Sequence, residues 1–379
     1  MTSTQVLELI LSLSLQAAVV VIAAHLIGRR LPTASAHCRL WAVTFLLLLG
    51  LVIAAVTLPH PRLLPPVPTG HQSPTARLVM TQIQAGRILL AVWLTGCAVS
   101  AGRFAWQMIQ AARFLRMCHP VDADVISLDA LFAGQDGASV SGPLREIRLV
   151  SSRVVSSPFC WQFHRPCIVL PESLLTQPAD ALRDVIHHEL EHLRTGHPLQ
   201  VFVQRTVECL FWFHPLVWWG SRQAGLTREF ACDDAVVSSP RDAVRYLRTL
   251  LSIAEQNVPD ADRPALLAFA RNRSLLAERA RRLARQNRNQ TRGAAPPGRP
   301  SVSPVVASPL LVAVALVTST LWLPINAMAA PDTSWSPWPS WTARVLHEFG
   351  IQARDFEPYG YAHDLHELLE HESDAEADH

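Results

Sequence analysis

The chain has 379 residues, of which 49% are hydrophobic and only 17% are charged. This composition is too apolar for an ordinary soluble enzyme and indicates membrane-spanning segments. The formal net charge of +2 gives no whole-chain reason to expect a nucleic-acid partner. Because the chain contains no lysine, mechanisms that need one are excluded, including acylation at a Ser-x-x-Lys site.

Four apolar runs predict spanning helices. They are Leu9–Gly28, Trp41–Leu58, Ile88–Ala101 and Val305–Ile325. The third run needs its flanking residues to reach the roughly 20 residues that a bilayer requires. A signal peptide is the alternative interpretation of the first run, but no basic segment precedes it and no clear cleavage site ends it.

Arginine placement predicts the orientation of these runs. Arginines cluster in the loop 29–39, after the third run, and in the segment 271–299, which has nine arginines and one acid, Glu278. Under the positive-inside rule these segments lie in the cytoplasm. We expect the segment 271–299 to contact anionic lipid rather than nucleic acid. The predicted outer segments contain no cysteine, so no disulfide is expected.

The same pattern predicts the domain organisation of the chain. Residues 1–108 would form three transmembrane helices with a short outer loop. Residues 109–300 would form a cytoplasmic domain that ends in a basic linker. Residues 301–326 would form a fourth transmembrane helix, and residues 327–379 a short acidic tail outside the cell.

The region 109–300 combines strand-like and helix-like patterns. The predicted elements are strands Arg145–Val150 and Cys167–Leu170 and helices Ala181–Thr195, Leu199–Leu210, Thr227–Val237 and Asp242–Ala254. Asp180 is the predicted N-cap of the first of these helices. The aromatic stretch Phe211–Trp219 is too short to span a bilayer, and we expect it at the membrane surface.

A five-residue motif on the first predicted helix carries the chemistry. His188-Glu189-Leu190-Glu191-His192 matches the pattern H-E-x-x-H. Residues i and i+4 share a helix face, so both imidazoles can reach one zinc ion. Glu189 would take a proton from a zinc-bound water. The alternative is a solvated amphipathic helix whose histidines are incidental.

A catalytic zinc needs a third protein ligand and one open position. Glu229, on a later predicted helix, is the best candidate. Asp233 lies one turn further on and would fix the tautomer of a ligand histidine. The alternative for these two residues is a solvated acidic pair. We expect His197 to be structural, and Cys232 is not proposed as a nucleophile because its neighbours are acidic.

Four stretches resemble a known family. They are Arg39-Leu40-Trp41, Pro158–Pro171, the motif His188–His192, and Phe211–Trp219 followed by Arg228–Val236. Together they are similar to the membrane metallopeptidases typified by the beta-lactam-sensing antirepressors of beta-lactamase and methicillin-resistance regulation.

This resemblance implies a multi-pass α-helical membrane protein with a mainly α, α+β zincin domain of the gluzincin type. His188, His192 and Glu229 would hold one zinc ion, with Glu189 as the base. The protein would lie in the bacterial inner membrane, with its catalytic domain in the cytoplasm. It would cleave a cytoplasmic protein, such as a transcriptional repressor, in response to an outside signal. By analogy, extended substrate would pair with the strand near Ile168.

Two departures from the family pattern limit the comparison. Gln162 stands where the family usually has glycine, and the predicted outer tail has no large penicillin-binding domain. Acylation of this chain by beta-lactams is therefore not expected. A protease that degrades damaged membrane proteins and a non-catalytic signalling scaffold remain as alternatives, although a structural zinc site would not need Glu189.

Overall fold

The computed structural model is mostly helical. It describes residues 3–58, 76–121, 147–155, 157–163, 165–256, 273–291 and 302–323. The predicted outer tail 327–379 and most of the predicted outer loop lie outside the described residues. The predicted domain boundaries stay predictions.

Among the described residues, three helices are long and apolar enough to cross a membrane. They are α1 (Ser3–Gly28), α2 (Ala34–Thr57) and α3 (Ala76–Met117). They contain the first three apolar runs, except that Leu58 lies just past the end of α2. Thr33 begins α2, where its hydroxyl accepts a hydrogen bond from the Ala36 amide at 3.3 Å.

The third helix is much longer than the apolar run that predicted it. It has 42 residues, or about 63 Å at the usual rise per residue. The sequence between Ala76 and Met117 contains no proline to end it. Its last turns pack through Phe114 and Leu115 against the sheet of the following domain. The helix therefore connects the apolar helices directly to that domain.

The fourth predicted span is only partly described. The helix Pro304–Thr318 has 15 residues, about 22 Å of length, against the roughly 30 Å of a bilayer core. The rest of the predicted span extends past residue 323, the last described residue. Ala307, Leu311 and Ala315 are buried in a core shared with α1 and α2. A fourth crossing stays a prediction.

A small mixed sheet follows α3. Its strands are β1 (His119–Pro120), β2 (Arg148–Ser152), β3 (Phe159–Trp161) and β4 (Cys167–Pro171), in the order β1-β2-β4-β3. The parallel pair β2–β4 corresponds to the two predicted strands. The sequence did not predict β1 and β3, because two or three residues are too few to show a strand pattern. Every residue of β4 is buried.

Six helices complete the described part of the domain and its linker. They are α4 (Glu172–Leu175), α5 (Ala179–Arg194), α6 (His197–Leu210), α7 (Pro215–Val236), α8 (Pro240–Gln256) and α9 (Arg273–Thr291), with α10 (Pro304–Thr318) after them. The prediction that Asp180 caps α5 is wrong. Pro178 occupies the cap position, and Asp180 lies in the first turn, where the helix dipole favours its charge.

The aromatic stretch lies deeper among the apolar helices than predicted. The ring of His214 contacts the Ser14 carbonyl, near the middle of α1, at 3.0 Å. Trp93 of α3 donates to the Leu210 carbonyl at 3.0 Å, and Trp212 donates to the Trp93 carbonyl at 3.4 Å. The turn between α6 and α7 therefore packs against the middles of α1 and α3, not against their ends.

The motif helix α5 is strongly amphipathic. Its apolar residues pack with Ile168 and Leu170 of β4; they are Leu182, Val185, Ile186, Leu190 and Leu193. This packing leaves the side of α5 that carries the two motif histidines directed at α7. The buried residues of β4 thus hold the motif helix in place.

Candidate metal centre

Three predicted ligands meet between α5 and α7. The Nε2 atoms of His188 and His192 are 3.3 Å apart. The carboxylate of Glu229 lies 3.5 Å from the Nε2 atom of His188 and 3.6 Å from that of His192. Ligands bound at about 2.0–2.2 Å around a tetrahedral zinc ion lie roughly 3.3–3.6 Å from one another. The donor atoms therefore fit zinc in both type and spacing.

Glu189 lies beside this ligand group and is buried. Burial raises the pKa of its carboxyl to about 7, although the charge of His188 acts in the opposite direction. A carboxylate whose pKa lies near neutrality is suited to accept a proton and then release it. Its burial thus makes Glu189 a stronger base than an ordinary surface glutamate.

Asp233 lies behind His188, on the side away from Glu229. Its Oδ1 atom is 3.3 Å from the Nδ1 atom of His188. The hydroxyl of Tyr246 lies 3.0 Å from the same nitrogen and donates to Asp233 at 2.9 Å. Burial would raise the pKa of Asp233, but Arg279 and the hydrogen bond with His188 hold it at about 2. An anionic Asp233 therefore favours a proton on Nδ1 and leaves Nε2 free for a metal.

Tyr246 and Arg279 are two residues of this site that the sequence analysis missed. Arg279 was expected to lie in a solvated or lipid-facing basic segment, but α9 carries it into the site, where its side chain is 11% exposed. Its guanidinium lies 2.9 Å from the carboxylate of Glu229 and 2.6 Å from that of Asp233. It also donates to the hydroxyl of Tyr246 at 2.9 Å.

The spacing of apolar residues in α9 could have identified Arg279. Leu276 and Leu283 lie three residues before it and four residues after it, and thus on the same helix face. Both leucines pack in a small core with Val236 and Tyr246. An arginine between a half-buried and a buried leucine is directed inward, whereas the other arginines of the segment share no such spacing.

The family model described as BlaR1 peptidase M56 matches residues 5–283. The chain belongs to this family. The match includes the three long apolar helices, the sheet and all of the residues described above. Membership in a metallopeptidase family, together with the apolar helices, indicates a peptidase with a membrane location.

A curated relative of this M56 peptidase is the regulatory protein BlaR1 of Bacillus licheniformis. The two are 32% identical over 95 residues, which are 25% of this chain and 16% of the relative. The chain therefore matches only a small part of that protein. The sequence-based resemblance to antirepressors is confirmed at the level of the family.

The sheet of this M56 peptidase has a free edge close to the site among the described strands. We expected substrate to pair with the strand near Ile168, and that expectation is wrong because β2 and β4 pair on one side and β3 and β4 on the other. The edge strand is β3, whose Cys160 lies close enough to the carboxyl of Glu189 to influence its pKa. An extended chain paired with β3 would therefore pass beside Glu189.

Gln162 follows β3 where the family usually has glycine. Its side-chain amide donates to the Leu193 carbonyl of α5 at 3.4 Å. The β3 strand forms despite the glutamine and pairs with β4 from Phe159 to Trp161. The departure at Gln162 thus leaves the strand intact and links its end to the motif helix.

Proposed function

We propose that this M56 peptidase is a zinc endopeptidase embedded in the membrane. The observation that carries the proposal is the 3.3–3.6 Å spacing of His188, His192 and Glu229, with Glu189 beside them. Three protein ligands leave a fourth zinc position for water or substrate, as in catalytic rather than structural sites. A structural zinc site has no need for a base such as the carboxyl of Glu189. The presence of Glu189 therefore argues against a non-catalytic scaffold.

The side chains of the site support peptide hydrolysis. Zinc, when bound, lowers the pKa of a bound water and polarises the scissile carbonyl. Glu189 is placed to accept a proton from water and would deliver it to the leaving amine. Tyr246 and Asp233 hold the tautomer of His188. Arg279 balances the charges of Glu229 and Asp233.

Glu189→Gln tests this mechanism, with Glu191→Gln as its matched control. Both residues lie on α5, but Glu191 is outside the ligand group. We expect the Glu189→Gln variant, purified in detergent, to keep one zinc ion and to lose cleavage of itself or of added protein. The Glu191→Gln variant should keep both properties. Retained cleavage by the Glu189→Gln variant would refute the mechanism.

We propose that the substrate binds as an added strand on β3. Main-chain hydrogen bonds supply affinity in this mode, and the alternating side chains supply specificity. A photo-crosslinking residue at Trp161, on the free edge of β3, should capture substrate in a Glu189→Gln background. The same photo-crosslinking residue placed at position 119, in place of His119 on the opposite edge of the sheet, should capture little substrate. Equal capture at both edges would contradict this mode.

The regulatory role is the proposed biological context. Its support is the resemblance to antirepressors and the similarity to the Bacillus relative, which is named as a regulatory protein. The substrate would be a cytoplasmic protein such as a transcriptional repressor, and arginine placement supports a domain on the cytoplasmic side of the bacterial inner membrane. Proteomics of cells with the wild-type protein and with the Glu189→Gln variant separates this role from quality control. One or a few stabilised soluble proteins would support regulation, whereas many stabilised membrane proteins would support quality control.

A further inference from the structure

The second ring nitrogen of His192 points away from the other metal ligands. It begins a series of contacts between buried side chains. The Nδ1 atom of His192 lies 3.0 Å from the Nδ1 atom of His197. The Nε2 atom of His197 lies 3.3 Å from the Sγ atom of Cys38, which belongs to α2. Cys38 is 4% exposed and His197 is 3% exposed. The chain thus runs without a break from a proposed zinc ligand to the second apolar helix.

The distances distinguish a hydrogen-bond chain from a second metal site. His192, His197 and Cys232 are close enough together to be considered as ligands. However, the 3.0 Å between the two imidazole nitrogens is typical of a hydrogen bond. Two nitrogens bound at about 2.0–2.1 Å to a tetrahedral zinc ion lie roughly 3.3 Å apart. The Cys232 sulfur lies 3.5 Å from the Nδ1 atom of His197.

One set of tautomers satisfies the whole chain. If His192 binds metal through Nε2, its Nδ1 carries a proton and donates it to the Nδ1 atom of His197. His197 then carries its own proton on Nε2 and donates to the sulfur of Cys38. The Cys38 thiol donates onward to the Gln200 side chain at 3.7 Å. Each donor meets an acceptor, as expected for the partners that orient a metal-ligating histidine.

We propose that His197 is a positioning residue that orients His192 and couples it to α2 through Cys38. The inference rests on the proposed zinc site. A displacement of α2 in the membrane would change the hydrogen bond on His192 and thereby the geometry of the metal ligand. This role goes beyond the structural packing that the sequence indicated for His197.

Cobalt substitution tests the orienting contact, because the visible spectrum of bound Co²⁺ reports ligand geometry without any turnover. His197→Leu should weaken Co²⁺ and Zn²⁺ affinity by roughly 10–100-fold and change the cobalt spectrum. His197→Asn should recover most of the affinity, since its amide oxygen can accept from His192. The exposed His119 provides the control, and His119→Leu should change nothing. Thermal unfolding of each variant identifies any that fails to fold.

Cys38 variants test the coupling to α2. Cys38→Val removes the acceptor and should shift the cobalt spectrum in the same direction as His197→Leu. Cys38→Ser retains an acceptor and should restore the wild-type spectrum. Cys97 lies in α3 with its sulfur near the Leu210 carbonyl, so Cys97→Val should have no effect.

Three outcomes would overturn these proposals. A wild-type spectrum and affinity in His197→Leu would end the positioning role. A thiolate-to-cobalt charge-transfer band that Cys232→Val abolishes would replace the hydrogen-bond chain with a second metal site. If the wild-type protein binds neither Co²⁺ nor Zn²⁺, the proposed function itself fails. If only the coupling is wrong, metal binding and the Glu189→Gln effect remain.

Discussion

The guanidinium of Arg279 faces two carboxylates that have little contact with water. Asp233 is fully buried, and Glu229 is only partly exposed. Burial by itself would raise the pKa of Glu229, but Arg279 and the two histidines hold it well below its usual range. A buried charge without a partner costs far more than an exposed one. Arg279 is therefore needed most when no metal neutralises Glu229.

Replacing Arg279 with Gln should destabilise the metal-free protein strongly. Loss of one partner from a buried charge pair costs about 3–5 kcal/mol. Arg282, three residues later on α9, pairs with the more exposed Asp234, and Arg282→Gln should cost at most about 1 kcal/mol. Thermal unfolding of the detergent-solubilised protein with and without chelator measures both effects. Equal losses in the two variants would contradict a special role for Arg279.

The site residues divide into those that a motif identifies and those that folding brings in. His188, Glu189 and His192 lie within five residues, so helix periodicity alone groups them. Glu229 and Asp233 are one helical turn apart and could be predicted as a pair from the sequence. In the structure both lie beside the motif histidines. Tyr246 and Arg279 belong to other helices and to no motif. The packing of α8 and α9 brings both into the site, although the leucine spacing in α9 already directs Arg279 inward.

At the scale of elements, the contact between α3 and the aromatic turn depends on a small residue. Trp212 lies so close to Gly96 that a Cβ atom there would overlap its indole ring. Gly102, two turns later on the same helix, has open space around its Cα among the described residues. The fit between α3 and the turn that begins α7 is thus specific to one position.

Gly96→Ala should loosen the docking of α3, because the Trp212 ring must move and lose its hydrogen bond to Trp93. Overpacking of this kind costs about 1–3 kcal/mol. Gly102→Ala should be neutral or slightly stabilising, since alanine favours helix. Unfolding temperatures, together with tryptophan fluorescence, measure the difference. An unchanged Gly96→Ala protein would mean that α3 does not dock as described.

Element boundaries show the same division between local and tertiary causes. The predicted helix over Thr227–Val237 is the second half of α7, which begins at Pro215 inside the aromatic stretch. The sequence suggested a membrane-surface segment there because its aromatic residues dominate the composition. In the structure, the side chain of His214 caps the helix by accepting from the Val217 amide at 3.4 Å. The aromatic composition therefore gave no sign of the start of α7, which the His214 cap marks in the structure.

For the whole molecule, the peptidase helices and the apolar helices share one core. Val207 and Phe211, near the turn between α6 and α7, are buried with Trp41 and Leu48 of α2 and with residues of α1. The helix that carries Glu229 therefore packs directly on the predicted transmembrane helices and is not joined to them by a flexible linker alone. The site and the membrane part form a continuous structure.

A fragment of residues 145–300 should not fold as an independent peptidase. Removal of α1 to α3 would expose the faces of α6 and α7 that now pack on them, and exposed apolar patches of this kind cause aggregation. We expect the fragment to bind a hydrophobic dye and to hold less than one zinc ion per chain. Size-exclusion chromatography and metal analysis measure this against the intact protein. A monomeric fragment with a full zinc ion would refute the shared core.

The sequence by itself determined the three apolar helices, the candidate ligands of the motif and the peptidase class, because each depends on residues that are neighbours along the chain or around a helix. Tertiary structure decided which distant residues lie beside the motif. It placed Arg279 on two carboxylates, Tyr246 on His188, and β3 rather than β4 at the free edge. It also brought Cys38 of α2 to His197. These contacts join residues far apart in the sequence, so no local periodicity indicates them.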